Sequence, residues 1–239
     1  MTTRPRVLAL IPAYNEAVNL PAVIGDLRRR RPDLEILVVD DGSTDGTVAL
    51  LRRLQVRWLR WPERRGVGSA IRAGLRYADN LGFEAVVRLD ADGQHDIQDI
   101  ARLLLPLHMD AADVVLGSRF ISMDAGDEGR PGPVQRTLGA VLSVLTQRVV
   151  TDPTSGFWAM SPRAVTLLAE HHPSGYPEPE LHLFLSRNAL RLVEVQVRSQ
   201  ARLSGRSSLT PVRLIAAGAR VLLALLIVPL RAVVSQSHD

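Results

Sequence analysis

The chain has 239 residues, 46% of them hydrophobic and 23% charged, which suits one sizeable core and excludes a globally disordered protein. It contains no cysteine, which excludes a disulfide framework, a thiolate nucleophile and a cysteine-ligated metal. The formal net charge of +4 belongs to the tail: every basic residue is arginine, and residues 195–239 hold six of the 29 arginines but only one acid, Asp239.

The apolar stretch in the N-terminal "MTTRPRVLALIPAYNE" is too short for a secretory leader, so a cytoplasmic location is the expectation. "VLALIPA" reads as a buried strand and "EAVNLPAVIGDLRRRR" as a helix with apolar residues at helical spacing. "LEILVVDD" is a second strand, and Ser43 or Thr44 is placed to cap the next helix in "STDGTVALLRRL". "VRWLRW" follows, then a helix over "GVGSAIRAGLRYADNLG", the strand "EAVVRLDAD", a helix over "DIQDIARLLLPL" and the strand "DVVLGSRF". Strands separated by helices of this length predict βαβ units and an α/β fold with a mostly parallel sheet. The Gly- and Pro-rich linker "ISMDAGDEGRPGP" precedes a helix ("VQRTLGAVLSVLTQRVV"), a loop ("TDPTSGFWAMSP") and a further helix. The segment "HHPSGYPEPE", a strand ("RLVEVQVRS"), the loop "ARLSGRSSLTP" and a long apolar C-terminal segment complete the chain.

Polar residues fall just after four strands: Asn15 and Glu16, Asp40 and Asp41, Asp90 and Asp92, Ser118 and Arg119. Ligands of open α/β sheets bind outside the carboxyl ends of the strands, so these four ends outline one site. Any one of them alone is as well explained by a turn or a helix cap. Residues i and i+2 of a strand point the same way, so Asp90 and Asp92 project together and repel unless something positive lies between them. A divalent cation, an arginine such as Arg119, or a carboxylate pair sharing acid–base work would each answer this. A hard cation that also binds substrate phosphates takes one or two carboxylates plus water, and Gln94 adds a neutral oxygen in the same register. Mg²⁺ or Mn²⁺ held by Asp90, Asp92 and Gln94 is the reading adopted.

"IPAYNE", "VVDDGSTDGT", "DADGQHD" and "GSRF", in that order and spacing, resemble the family 2 glycosyltransferases of the GT-A fold. The later "TDPTSGF" resembles the branch of dolichyl-phosphate mannose synthase and bacterial polyprenyl-phosphate glycosyltransferases, and the likeness runs over roughly residues 6 to 210. The resemblance implies a GT-A domain over residues 1–210, Rossmann-like with helices flanking the sheet. It implies that Pro12, Ala13, Tyr14 and Glu16 line a nucleotide pocket, with Asp40 or Asp41 on the base or ribose. Asp90, Ala91, Asp92 and Gln94 would face the metal-bound diphosphate, and Arg119 the phosphates or donor sugar. Gly68, with Gly66, would let backbone approach a ligand, or simply open a tight helix start. Arg202 and Arg206 are candidates for an acceptor phosphate, though relatives carry lysine where Arg206 stands and either arginine also suits a solvated surface. The resemblance would put Asp152 and Ser155 on the acceptor side, although Asx-turn chemistry explains an Asp before Pro equally well. Glu178 and Glu180, read as an extended proline-stiffened segment with both side chains on one side, would recognise sugar or shape a turn.

The activity implied is an inverting, metal-dependent hexosyl transfer from a UDP- or GDP-sugar to a polyprenyl phosphate. A phosphate monoester is already anionic near neutrality (second pKa about 6), so no dedicated general base is required. In the tail, the longest charge-free run is the ten residues Val221–Leu230, half of the about 20 needed to span a bilayer. On a helix, Arg213, Arg220 and Arg231 fall within about 20° of one another beside Leu214, Ile215, Val221, Leu222, Leu225, Leu226 and Val228. Residues 211–239 are therefore expected to lie in an anionic membrane surface at its cytoplasmic face, or to pack on the domain or a partner. Short members of the family work beside small membrane proteins, which is the protein partner implied; nucleic acid is not expected. Two rivals stand: a transferase using a saccharide hydroxyl in cell-wall or polysaccharide assembly, which needs a base such as Asp152, Glu178 or Glu180, and a non-catalytic nucleotide-binding subunit of a membrane complex.

Overall fold

A computed structural model describes residues 6–121, 130–173 and 177–200. The tail from residue 201, with Arg202, Arg206 and the amphipathic segment, lies outside the described residues, as does most of the linker 121–133.

Seven strands form one sheet in the order β3-β2-β1-β4-β6-β5-β7. They are β1 (Val7–Ala13), β2 (Glu35–Asp40), β3 (Arg57–Arg60), β4 (Ala85–Arg88), β5 (Val114–Ser118), β6 (Trp158–Met160) and β7 (Leu192–Gln196). The helices are α1 (Leu20–Arg30), α2 (Thr47–Leu54), α3 (Val67–Asn80), α4 (Ile100–His108), α5 (Pro133–Thr146), α6 (Pro162–His171) and α7 (Pro177–Arg187). All pairings are parallel except those of β6, which runs antiparallel between β4 and β5.

β1 explains the three layers. All seven of its residues are buried, because alternate side chains enter cores on opposite faces of the sheet. Val7, Ala9 and Ile11 pack with Val23, Ile24 and Leu27 of α1 and Leu103 of α4. Leu8 and Leu10 pack with Ile71 and Leu75 of α3 and Leu168 of α6. Gly74 of α3 lies where a Cβ would fall 2.1 Å from Leu10 Cδ1, so the helix rests directly on the strand. A smaller cluster of Leu138, Leu142, Val150 and Leu183 joins α5 to α7.

Four local expectations are corrected. "TDPTSGFWAMSP" contains a strand: Trp158, Ala159 and Met160 are fully buried between β4 and β5, a wedge too short to show a period of its own. β4 stops at Arg88 rather than running to Asp92, and the chain turns through Gly93 at φ 78°. Helix α1 starts at Leu20 rather than Glu16, because Asn15 adopts φ 58° and Pro21 occupies its first turn. Neither Ser43 nor Thr44 caps α2, whose N-cap is Gly46; Asp45 accepts instead from the Thr47 N–H at 2.9 Å.

His182 of α7 is buried with its ring edge-on to Trp158 (5.4 Å between centroids), and neither ring nitrogen has a hydrogen-bond partner among the described residues. Burial pushes its pKa down from 6.5 to about 4, and that of His172 to about 3 with further push from Arg88 and Arg72. A depressed folded pKa leaves stability intact above the unfolded value and withdraws it as pH falls toward the folded one. His182 alone is worth about 3 kcal/mol over that range, so the melting temperature should fall by about 10 °C between pH 6.5 and 4. Replacing His182 by Leu should flatten that decline in a pH series of thermal melts; an equally steep decline would remove the histidine from its cause.

Candidate active site

The carboxyl ends of β1, β2, β4 and β5 carry the polar residues anticipated from the sequence, and the loops behind them are knit together. Asp41 N–H donates to Ala13 O (2.8 Å), Asn15 N–H to Ser43 Oγ (2.8 Å), and Thr44 N–H to Asn15 Oδ1 (2.9 Å). Pro12 and Ala13 end β1 beside Val39 and Asp40 of β2. Asp40 is fully buried and faces Arg60 Nε at 3.3 Å. The Asp41 carboxylate accepts the backbone N–H groups of Arg65 and Gly66, each at 2.8 Å, which draws the loop before α3 against the loop after β2. Gly42 makes the approach possible, since a Cβ there would lie 2.6 Å from Glu63 C. Gly68 is buried in the first turn of α3. Arg64 lies 4.0 Å over the Tyr14 ring, and Arg65 is 4.4 Å over that of Trp61. Neither stack was foreseen, although the pair stands next to the glycines of "RRGVGSA". Glu16 accepts from Asn19 Nδ2 at 2.7 Å.

At the end of β4, Arg88 is buried on the same side as Val86, and its Nη2 donates to Asp90 Oδ1 (3.2 Å) and Glu178 Oε1 (2.9 Å). The arginine bonded to Asp90 is Arg88; Arg119, one of the alternatives the sequence left open, acts on Asp90 through its charge. A charged residue inside the apolar run "AVVRL" was the signal for it. Asp90 Oδ2 lies 3.4 Å from His95 Nε2, and the His95 ring stacks on Phe157 with 4.6 Å between centroids. Burial would raise the Asp90 pKa, but Arg88, His95 and Arg119 hold it well below the usual carboxylate range. Ala91 and Asp92 are buried, and Asp92 Oδ1 accepts the Gln94 N–H at 3.1 Å. Asp96 caps the short 3₁₀ turn Ile97–Asp99 by accepting from Gln98 N–H. Gly156 covers Asp90: a Cβ there would fall 2.2 Å from Asp90 Oδ2. Because that clash is with a side-chain tip, Gly156→Ala should fold normally yet displace the carboxylate and lower turnover about tenfold or more. Thermal melts and steady-state assays across a Mn²⁺ titration check this, and unchanged turnover at every Mn²⁺ level would contradict it.

Arg119, after β5, is held by Asp152 in a two-pronged pair, Nε to Oδ2 at 2.7 Å and Nη2 to Oδ1 at 2.9 Å, and its Nη2 also donates to Thr154 Oγ1 (3.0 Å). Asp152 is fully buried. Burial would lower the Arg119 pKa, but Asp152, then Asp90 and Asp92, raise it, so this guanidinium sits within the field of the Asp90–Asp92 loop. Ser155 is turned inward: its hydroxyl donates to Gly117 O (2.6 Å) and accepts from Phe157 N–H (3.2 Å), so it braces the loop. Glu178 and Glu180 lie in the first turn of helix α7, not in an extended segment. Proline is tolerated in a first turn and acids favour a helix N-terminus, which is why "PEPE" starts a helix. Residues two apart on a helix diverge by about 200°, so the two glutamates do not share a side; Glu178 instead completes the Arg88 pairing.

Among the described residues no group of three His, Cys, Asp or Glu side chains is arranged to cage a metal. What the loop offers is an Asp90 kept ionised, a buried Asp92 and the neighbouring Gln94. That set fits a hard cation such as Mg²⁺ or Mn²⁺, which completes its shell with water and substrate oxygens.

An α/β sheet of this order, with carboxylate loops at its carboxyl edge, defines the GT-A class of fold. The chain is similar to glucosyl-3-phosphoglycerate synthase from Mycobacterium tuberculosis in complex with phosphoglyceric acid, at TM-score 0.69 and 23% identity, over 94% of this chain and 79% of that one. The same protein in complex with Mn²⁺, UDP and glucosyl-3-phosphoglycerate gives 0.68 and 22% over the same shares. The model of Glycosyl transferase family 2 matches residues 9–167, and the chain belongs to that family. Undecaprenyl-phosphate mannosyltransferase of Micrococcus luteus is 33% identical over 86% of this chain and 88% of its own. The UDP-N-acetylglucosamine–dolichyl-phosphate N-acetylglucosaminyltransferase of Methanococcus voltae is 30% identical over 81% and 85%. Polyprenol monophosphomannose synthase of Mycolicibacterium smegmatis is 39% identical over 50% of this chain, which spans about half (48%) of that relative.

Proposed function

We propose that this glycosyltransferase moves a sugar, with inversion, from a UDP- or GDP-sugar to a polyprenyl phosphate at the cytoplasmic face of a membrane. The observation that carries the reading is the state of two of the three carboxylates named as bases for a hydroxyl acceptor. Asp152 is fully buried with both oxygens accepting from Arg119, and Glu178 is paired with Arg88. Asp152 has neither oxygen open to an incoming hydroxyl and Glu178 is held by an ion pair, whereas an acceptor phosphate brings its own negative charge. The relatives that act on undecaprenyl and dolichyl phosphate support the same acceptor class.

On this reading Pro12, Ala13, Tyr14, Glu16, Asp40 and Gly68 line the nucleotide side, and Asp41 fixes the loop that closes it. Asp90, Asp92 and Gln94 hold Mg²⁺ or Mn²⁺, which neutralises charge on the diphosphate leaving group when bound. Arg119, oriented by Asp152, faces the donor phosphates. Arg202 and Arg206 take the acceptor phosphate, and residues 211–239 beyond the 1–210 domain lie on the membrane surface or against a small membrane protein. No helix of the described residues is long and apolar enough to cross a membrane. The test compares undecaprenyl phosphate, undecaprenol and saccharide acceptors with one accepted donor. Transfer to the phosphate alone supports the reading, and transfer to a hydroxyl acceptor in its place rejects it.

A further inference from the structure

We infer that Glu194, on β7, is a positioning residue for Arg119, fixing the loop whose Asp152 holds the guanidinium. The inference rests on the proposed function. β7 runs parallel to β5 with Glu194 beside Leu116, which sets the carboxylate against the loop that follows α5. Both Glu194 oxygens accept the Thr151 N–H, each at 3.1 Å, and the Thr151 hydroxyl donates to Oε2. Thr151 Oγ1 is also 2.5 Å from Ser118 Oγ, which accepts the Phe120 N–H at 3.1 Å. An ionised Glu194 can only accept, so it imposes one direction on the chain: Phe120 N–H to Ser118, Ser118 O–H to Thr151, Thr151 O–H to Glu194. The network therefore grips both neighbours of Arg119 in sequence, while Asp152, next to Thr151, grips its side chain.

The clamp has something to restrain. A cavity of about 70 Å³ opens beside Glu194, lined also by Thr146, Arg148, His182 and Leu185, so the loop has space to shift if the carboxylate is withdrawn. Arg148 of that lining donates to Leu190 O. Burial and the nearby Asp152 push the Glu194 pKa up, against which the Thr151 hydrogen bonds favour the ionised form.

The test is a double-mutant cycle on the full chain, assayed for sugar transfer and for amide exchange across residues 151–155. Glu194→Ala should lower kcat about tenfold with donor KM within about twofold, and should accelerate exchange in that segment while the core strands stay protected. In an Arg119→Lys background it should cost nothing further, because the residue through which it acts is already impaired. Near-isosteric Thr151→Val should reproduce the loss, which covers the case in which Glu194→Ala does not fold. Losses that multiply across the cycle, or kcat within twofold of wild type in a folded variant, would overturn the inference. If the wild type transfers no sugar to polyprenyl phosphate yet exchange at 151–155 responds, the acceptor reading alone has failed; an active, unresponsive Glu194→Ala protein defeats this inference alone.

Discussion

Asp92→Asn should leave the fold intact and lower metal-dependent transfer by about a thousandfold or more. Asn keeps an oxygen at Oδ1, where Asp92 accepts the Gln94 N–H at 3.1 Å, so the turn through Gly93 retains its bond. What is lost is a negative charge in a buried position beside Asp90. A cation polarising a phosphate leaving group supplies several kcal/mol, and about 4 kcal/mol corresponds to that factor in rate. A melting temperature near wild type together with absent Mn²⁺-dependent turnover is the expected pair of results. Unchanged turnover would remove the metal assignment, and loss of complex function without loss of turnover would favour the non-catalytic alternative.

Arg119→Met should cost both stability and activity, and the two can be separated. Removing the guanidinium leaves the fully buried Asp152 without its ionic partner, and breaking a buried pair costs about 3–5 kcal/mol. Adding Asp152→Asn removes the stranded charge and should restore most of that loss in denaturant titrations. On the proposed reading transfer should stay abolished in the double variant, because the guanidinium assigned to the donor phosphates is gone and the metal alone does not replace it. Recovery of transfer along with stability would mean that Arg119 only braces the loop.

The parts legible in the sequence were those written in local pattern. Apolar runs followed at once by Asn15, Asp40, Asp90 and Ser118 marked the carboxyl edge, and the sheet brings those ends together. The helix at "PEPE" and the strand at "WAM" were not legible, for different reasons. Two prolines read as an extended segment until α7 shows them in a first turn, and a three-residue strand is defined by its neighbours β4 and β5 rather than by its own composition. Partnerships at long range were hidden most completely. Arg88 was visible as a charge within a strand, but its bond to Glu178 spans 90 positions, and Glu194 looked like any polar residue of an alternating strand until β7 was set against Thr151. Asp152, expected on the acceptor side, is also the counter-ion of Arg119, a proximity that spacing alone does not contain.

The most direct test of the account is to incubate the purified chain with Mn²⁺, undecaprenyl phosphate and a panel of radiolabelled UDP- and GDP-sugars, and to look for label in the lipid phase. The account predicts a lipid-phosphate sugar from at least one donor, lost when EDTA is added. Nucleotide binding without lipid-linked product from any donor would contradict it.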